Sequence, residues 1–205
     1  DKGVEGNISS QRETASVDKN DQTKTVTNEI KTNNSDKFKG IGGYVGLAGQ
    51  ANSFSVNGSR MNLAGYTISG GITRTTGKHK VRVGAQLLNS SVTEISEDGY
   101  TYKMDEYTSA SMSYTGLGLD TSYSYLATDI IGIGGYFKYT MGDLELCDGG
   151  ECISTGADLT EYGVRLDFTV QYWNPYLAIG AASVTESGET YRGMSAYVGL
   201  LNFSF

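Results

Sequence analysis

The stretch TEYGVRLDFTVQYW, residues 160–173, indicates the fold class of this chain, because its apolar and polar residues alternate without interruption. One set of alternate positions carries charged, small or amide- and hydroxyl-bearing side chains. The other set consists of Tyr162, Val164, Leu166, Phe168, Val170 and Tyr172. Side chains of an extended strand point alternately to its two faces. The stretch therefore predicts a strand with one apolar face and one polar face.

Alternation of this kind recurs between Phe38 and the last residue, and it predicts eight strands in all. The other seven segments are 39–51, 62–74, 80–88, 111–126, 129–141, 176–185 and 191–205. The short connections are 75–79, 127–129 and 173–175, and the longer ones are 52–61, 90–110, 142–158 and 186–190. Strands running up and down place the short connections at one end and the longer ones at the other. Transmembrane β-barrels have this asymmetry, with short periplasmic turns and longer extracellular loops.

Composition excludes some classes of protein. The net charge of −7 disfavours a nucleic-acid partner, since phosphate binding needs a concentrated basic surface. No run approaches the roughly 18 apolar residues of a transmembrane helix, whereas the strands of a barrel keep the mean hydropathy low. A chain that begins at Asp1 without a signal peptide is expected of a mature, processed protein.

Residues 1–37 differ from everything that follows. They are rich in Lys, Asp, Asn, Thr and Ser and have almost no apolar side chain to bury. Such a composition predicts an extension that is disordered or that orders on a partner. We therefore expect two parts, a polar N-terminal extension at 1–37 and a barrel at 38–205.

The direction of the apolar faces separates a soluble barrel from a membrane barrel. A soluble barrel turns its apolar face inward. Here the opposite face is rich in Gly, Ser and Thr, which suits the narrow lumen of eight strands. Aromatic residues near predicted strand ends suit a girdle at a bilayer interface; they are Tyr123, Tyr125, Tyr172, Trp173 and Tyr176. The sequence therefore favours apolar faces that point to lipid.

The last strand resembles the C-terminal signature of bacterial outer-membrane β-barrels, which end in an aromatic residue after alternating hydrophobic residues. The matching residues are Tyr197, Gly199, Leu201, Phe203 and Phe205, and the usual signature has its glycine one position nearer the end, at Leu200. The layout of residues 38–205 is similar to the small group that includes the OmpA transmembrane domain and the OmpX/Ail type.

That resemblance implies an all-β, eight-stranded, antiparallel up-and-down transmembrane β-barrel in the bacterial outer membrane, with both termini periplasmic. It implies contacts with outer-membrane lipid and lipopolysaccharide, and with the assembly machinery that reads the last strand. We expect this strand to pair with the first one near residues 40–50. Its residues Tyr197, Leu201, Phe203 and Phe205 would then face lipid at the periplasmic interface.

With the apolar faces toward lipid, a set of charges is expected inside the barrel. The set consists of Lys80, Arg82, Asp120, Lys138, Glu161, Arg165, Asp167 and Arg192. Enclosed charges of both signs are costly unless they are paired. They predict a salt-bridge network that plugs the lumen, and the alternative is a selective polar pore. Eight strands give an interior that side chains just fill, which favours the plug.

The sequence predicts no catalysis, no cofactor and no metal site. Enzymes on small outer-membrane barrels, such as the lipid A palmitoyltransferase and deacylase, need a histidine near the outer rim. The single histidine, His79, lies in a tight turn at the opposite end. Cys147 and Cys152, in CDGGEC, indicate a small loop disulfide in an oxidising compartment or a dithiol in a reducing one. Without nearby histidines they do not make a zinc site.

Acidic residues dominate the predicted outer loops. The candidates for partner binding are Glu94, Glu97, Asp98, Asp143, Glu145, Asp148 and Glu151. They suggest surface interaction or adhesion through a cationic or calcium-bridged partner, although solubility alone also accounts for them. A membrane-structural role of the barrel is the other interpretation. Two alternatives stay open: a scaffold or subunit of an envelope complex that recruits its partner through residues 1–37, and a small-solute channel.

Overall fold

A computed structural model describes residues 40–56, 59–97, 100–103 and 110–205, so the polar segment 1–37 lies outside the described residues. The described residues form nine strands: β1 Gly40–Val56, β2 Ser59–Thr76, β3 His79–Glu97, β4 Tyr100–Lys103, β5 Ser111–Leu126, β6 Ile131–Asp148, β7 Glu151–Phe168, β8 Tyr176–Glu186 and β9 Glu189–Ser204. In this part of the chain no helix is long and apolar enough to cross a membrane.

Pairing between the first and last strands closes the sheet. β1 pairs antiparallel with both β2 and β9, and the other long strands pair with their neighbours in chain order. β4 adds only a short hairpin to the end of β3. The terminal Phe205 continues the ladder, since its amide donates to the Gly43 carbonyl at 3.0 Å and its carbonyl accepts from the Gly43 amide at 2.8 Å. The expected eight-stranded antiparallel barrel is confirmed.

The strands are strongly staggered around the ring. Partners followed once round the barrel lead from Tyr44 to Phe54, ten residues further along β1 (54 minus 44). The path is Tyr44, Gly71, Gly84, Asp120, Lys138, Glu161, Ala182, Gly193 and Phe54. A stagger of this size requires strands that tilt by roughly 40° from the barrel axis.

The strands extend further than the sequence predicts at the end opposite the short turns. The interval 142–158, expected to be a loop, belongs to β6 and β7, which are joined by a two-residue turn at Gly149 and Gly150. Both glycines have positive φ, 57° and 92°, as a type I′ hairpin turn requires. Most of the expected loop 52–61 is likewise strand. The loop prediction was wrong because the side chains of these segments still alternate between the two faces. Here, however, the outward face is polar and the inward face is apolar, the reverse of the pattern in the predicted strands.

An apolar belt surrounds the barrel. Its members are exposed in the isolated chain, among them Ile41 at 75 % and Val164 at 61 %. On β6 the belt runs from Ile131 to Met141. At about 3.4 Å per residue and a tilt of about 40°, those ten steps span about 26 Å, close to the apolar band of an outer-membrane barrel. The outward direction of the apolar faces agrees with the expectation from the sequence.

The last strand carries an irregularity that changes which residues face lipid. Leu47 pairs with Leu201 but Gly49 pairs with Val198, so β9 has one residue more than β1 at this point. A bulge of this kind shifts the phase of alternation. The expectation for Tyr197 is therefore wrong, because it points into the lumen at 1 % exposure, whereas Leu201, Phe203 and Phe205 face outward. Tyr176, expected in the aromatic girdle, is also buried in the lumen.

Substitution of Gly199 by alanine tests this packing. The ring of Tyr176 covers Gly199 so closely that an added Cβ would clash with it. The ring cannot move away freely, because its centroid lies 3.6 Å from the Arg165 guanidinium carbon. We expect Gly199→Ala to lower the free energy of unfolding by about 1–3 kcal/mol, measured by urea unfolding in lipid vesicles.

Gly156→Ala is the matched control. Gly156 also lies in a strand, but no atom approaches within 4 Å of the position where its Cβ would be. Equal losses of stability in the two variants would contradict the packing role assigned to Tyr176 and Gly199.

Candidate functional site

The lumen at the level of the apolar belt contains most of the charges expected there. The inward side chains are Lys80, Arg82, Asp120, Lys138, Glu161, Arg165 and Asp167, each at most 5 % exposed. We call these seven residues the lumen charge network. Arg192 is an exception, since it is exposed on the outward face of β9. The phase of β9 explains this error: Ser195 and Tyr197 point inward, so Arg192 points outward.

Asp167 is the centre of the half of the network nearest the short turns. Its Oδ1 accepts a hydrogen bond from Arg165 Nε at 2.8 Å and lies 3.8 Å from Arg82 Nη1. The Ser124 hydroxyl donates to its other oxygen. The guanidinium of Arg165 stacks on the ring of Tyr176. One carboxylate thus compensates two buried guanidinium groups, with an aromatic face as an additional partner.

Lys138 organises the other half of the network. Its Nζ donates to Gln86 Oε1 at 2.9 Å, lies 3.9 Å from Asp120 Oδ1 and lies 4.1 Å from the centroid of the Tyr197 ring. Tyr44 donates to the other oxygen of Asp120 at 3.2 Å. These contacts connect β6 with β3, β5 and β9, and β5 with β1. The buried ammonium of Lys138 is therefore compensated by polar and aromatic groups on several strands.

Asn174 closes the lumen at the short-turn end, a role that the sequence analysis missed. Its side chain is fully buried, accepts a hydrogen bond from Lys80 Nζ at 2.8 Å and donates to the Tyr172 carbonyl at 2.9 Å. It also donates to Ser204 Oγ at 3.1 Å. The connection between β7 and β8 therefore folds inward as a floor. Asn before the single proline, Pro175, was the available signal, but it indicated only a turn.

Beyond the charge network the lumen becomes apolar. We call the following buried residues the apolar cup: Phe54, Leu63, Leu88, Val92, Tyr114, Leu144, Ala157, Leu159, Ala182 and Val184. Met61, Ile95, Met112 and Tyr191 are partly buried against it. The cup was not predicted, because several of its residues lie in segments interpreted as loops. The inward alternation of those segments was the signal that could have identified it.

The cup contains a cavity of about 240 Å³. Its walls include Phe54, Leu63 and Val184, and the buried side chains of Asn52 and Ser90 also line it. The partly buried Met61, Glu186 and Tyr191 line the side nearest the turns of the β1–β2 and β8–β9 hairpins, and the partly buried Met112, near the start of β5, lines it as well. The cavity therefore opens toward the end of the barrel opposite the short turns, which we call the hairpin end.

Tyr191, at the mouth of this cavity, has a settled hydrogen-bonding role. Its hydroxyl donates to Glu189 Oε2 at 2.9 Å. That hydrogen bond to a carboxylate raises the pKa of Tyr191 above the usual value for tyrosine, because ionisation would place two negative charges side by side. The group therefore stays protonated at neutral pH and contributes mainly its ring to the mouth.

The acidic candidates for partner binding lie at the end of the barrel opposite the short turns. Asp143 and Glu145 are exposed on the outward face of β6, above Met141, and Asp148 and Glu151 are exposed beside the β6–β7 turn. Glu94 is partly exposed on β3. The side chain of Glu97 and all of Asp98 lie outside the described residues. We call residues 142–158 the acidic hairpin.

A disulfide joins the two strands of the acidic hairpin. Cys147 and Cys152 are direct partners across the ladder and are bonded to each other, as the sequence indicated for an oxidising compartment. Glu145 lies beside them, with its carboxylate within 4.8 Å of the sulfurs. Sulfur in a disulfide is not a thiolate ligand, so this group is not a metal site in the oxidised protein.

His79 lies at the short-turn end, as expected. It is exposed, and its Nδ1 is 2.7 Å from the Tyr123 hydroxyl, while its ring centroid is 5.5 Å from that of Tyr125. At the same end the indole of Trp173 donates to the Leu200 carbonyl at 2.5 Å. These exposed rings suit the polar–apolar boundary of a membrane. Of the five residues that match the C-terminal signature read by the assembly machinery, Leu201, Phe203 and Phe205 face outward, while Tyr197 and Gly199 face the lumen.

Removal of the Asp167 charge tests the network. In Asp167→Asn the guanidinium groups of Arg165 and Arg82 lose the carboxylate that they share. We expect the free energy of unfolding to fall by about 3–5 kcal/mol, the usual result of leaving a buried charge unpaired. Urea unfolding of the reconstituted barrel measures the change.

Asp158→Asn serves as the comparison, because Asp158 is an exposed carboxylate that accepts a hydrogen bond from Tyr139 at 3.0 Å. We expect a loss of at most about 1 kcal/mol there. A loss for Asp167→Asn as small as that one would show that the network does not stabilise the barrel.

Comparison with known proteins finds only distant structural likeness. No protein-family model and no curated protein sequence matches the chain. Among solved structures, it is similar to Ail, the attachment invasion locus protein of Yersinia pestis, with 10% identity, a TM-score of 0.46 and coverage of 80% of this chain and 99% of that one. A major outer membrane protein from Thermus thermophilus gives 15% identity, a TM-score of 0.42 and coverage of 80% and 99%.

The outer membrane protease OmpT from Escherichia coli is more distant, with 12% identity, a TM-score of 0.30 and coverage of 80% of this chain and 96% of that one. Likeness at this level transfers no function. What the chain itself has is the strand number, the closure and the outward apolar belt of a membrane barrel. Its architecture is that of a small eight-stranded antiparallel β-barrel with an apolar outer surface.

Proposed function

We propose that this protein is an outer-membrane barrel that is closed to solutes and that presents its acidic hairpin to a cationic partner outside the cell. In this arrangement the short turns and the C-terminus are periplasmic. The observation that carries the proposal is the contrast between a filled lumen at the level of the belt and an acidic hairpin beyond it.

The filled lumen supports a structural rather than a conducting role. Side chains meet across the lumen at the level of the belt, where Lys138 Nζ on β6 lies 4.1 Å from the centroid of the Tyr197 ring on β9. Tyr44 on β1 donates to Asp120 on β5 at 3.2 Å. Asn174 covers the short-turn end. An ion would have to displace these paired groups in order to pass, at a cost that nothing in the lumen offsets.

The acidic hairpin supports binding of a cationic surface. Between residues 142 and 158 the sequence has five carboxylates and no Lys or Arg. The ladder of β6 and β7 continues to the turn, and the disulfide joins the two strands beside it. The carboxylates are therefore displayed on an ordered support, so that little conformational entropy is lost when a partner binds.

The same proposal has no catalytic step. His79 lies at the end of the barrel opposite the acidic hairpin and contacts tyrosine rings. Among the described residues it is therefore not in a position to form a serine–histidine–carboxylate site at the outer rim, which nucleophilic catalysis there would need.

Conductance measurements test closure. We expect the protein in planar bilayers to give no discrete current steps, because the charge network occupies the lumen. A variant that lacks the floor contact, Asn174→Ala, should also stay closed, since the pairs Lys138–Asp120 and Arg165–Asp167 remain above it. Stable unitary currents from the unmodified protein would contradict closure and would favour the channel alternative.

Charge removal on β6 tests the binding surface. We expect the double substitution Asp143→Asn and Glu145→Gln to weaken binding of oligolysine to the protein in zwitterionic nanodiscs by about two- to tenfold at low salt. The effect should shrink as ionic strength rises. Surface plasmon resonance with immobilised nanodiscs gives the affinities.

The matched control removes the same charge from the neighbouring hairpin, with Glu186→Gln and Glu189→Gln. If both double variants lose affinity equally, binding depends on total charge and not on the acidic hairpin. If neither loses affinity, the proposal fails, and a pulldown with and without residues 1–37 becomes the test of the scaffold alternative.

A further inference from the structure

The cavity in the apolar cup has the properties of a binding site that the proposed function does not use. Its volume of about 240 Å³ exceeds that of an engineered cavity of about 150 Å³ that accommodates benzene. Most of its lining consists of aliphatic and aromatic side chains, among them Phe54, Leu63 and Leu159. A molecule of the size of a bicyclic aromatic ring fits such a volume.

Two buried oxygens give the cavity a polar requirement. Asn52 and Ser90 line it and are 3 % and 2 % exposed, and neither Asn52 Oδ1 nor Ser90 Oγ has a hydrogen-bond partner in the described structure. Buried polar atoms in proteins are nearly always paired, because an unpaired one forfeits its hydration. The amide oxygen of Asn52 can only accept. A ligand that places one N–H or O–H group beside it would satisfy this atom.

Other polar groups around the cavity are already engaged. The hydroxyl of Tyr114 donates to the carbonyls of Thr140 and Ala157, both at 3.1 Å. The hydroxyl of Tyr191 donates to Glu189. The acceptors left to a ligand are therefore Asn52 and Ser90, together with the carboxylate of Glu186 near the mouth.

We infer that the cavity binds a small, uncharged, mainly apolar molecule with a single N–H or O–H donor, of the size class of indole, which enters from the hairpin end with its donor directed to Asn52 and Ser90. A plain alkyl chain fits less well, since its terminal methyl group would leave both oxygens unpaired. A carboxylate or phosphate fits poorly, because Glu186 at the mouth repels it and the Ser90 hydroxyl is the single free donor that the described lining offers it.

The distribution of methionines provides a built-in measurement. Met61 and Met112 line the cavity, whereas Met141 and Met194 lie on the outward belt, each 59 % exposed. With ¹³C-methyl methionine in nanodiscs, a ligand in the cavity shifts the first pair, and a ligand that only dissolves in lipid shifts the second pair. We expect indole to give saturable shifts at Met61 and Met112 and none at Met141 and Met194.

A ligand pair tests the donor. Indene has the bicyclic shape of indole but no N–H group, so we expect it to bind about tenfold more weakly, as the loss of a hydrogen bond to a buried acceptor predicts. Asn52→Ala and Ser90→Ala should each reduce this preference. Equal affinity for indole and indene, or saturable binding of decane in preference to both, would overturn the inference.

Filling the cavity tests the location. Val184→Phe places a ring in the cavity wall and should abolish the saturable shifts, whereas Val164→Phe on the outward belt should leave them unchanged. If Val184→Phe does not fold, Leu63→Phe provides the same test. Shifts that persist in the folded filled variant, or that appear equally at Met141 and Met194, would show partition into lipid and would refute the site.

Discussion

The pairing of β1 with β9 is the constraint on which the rest of the structure depends. In a bilayer no water is present to satisfy the backbone groups of a sheet edge, so the sheet must close. Closure with eight strands and a stagger of ten residues sets a narrow lumen. The narrow lumen in turn demands small residues and closely paired charges inside. Phe205, which exchanges two backbone hydrogen bonds with Gly43, extends the β1–β9 ladder to the last residue.

A second constraint acts along each strand, because the solvent outside the barrel changes from lipid to water. On β6 the outward residues are apolar up to Met141 and acidic at Asp143 and Glu145, while the inward residues change from Lys138 to Leu144. The same positions keep pointing outward and inward along the strand, but beyond the belt the outward side chains become polar and the inward ones apolar. Within the belt the barrel has an apolar outer surface and a polar interior. Beyond the belt it has a polar outer surface and an apolar interior, as a water-soluble barrel does.

This reversal explains what could be predicted from the sequence. The fold class and seven of the eight lumen charges follow from alternation within the belt, where one rule applies, as at Lys80 and Asp167. The disulfide instead follows from the close spacing of Cys147 and Cys152. Arg192 and Tyr197 were placed on the wrong faces for one reason, since a bulge in β9 shifts the phase by one residue. A bulge leaves no mark on composition. The cup was missed because Leu144 and its neighbours belong to segments whose polar outward face is typical of loops.

The two halves of the lumen have different packing requirements. The lumen charge network stabilises the barrel, and the apolar cup contains the cavity. Charge pairs such as Arg165 and Asp167 need close contact, so the half within the belt can tolerate little empty volume. Apolar side chains impose no such geometry, and a cavity among them costs only the lost contacts of its lining. An opening can therefore exist in the cup without weakening the network. Asn52 and Ser90 mark the boundary, where the polarity of the network meets that apolar space.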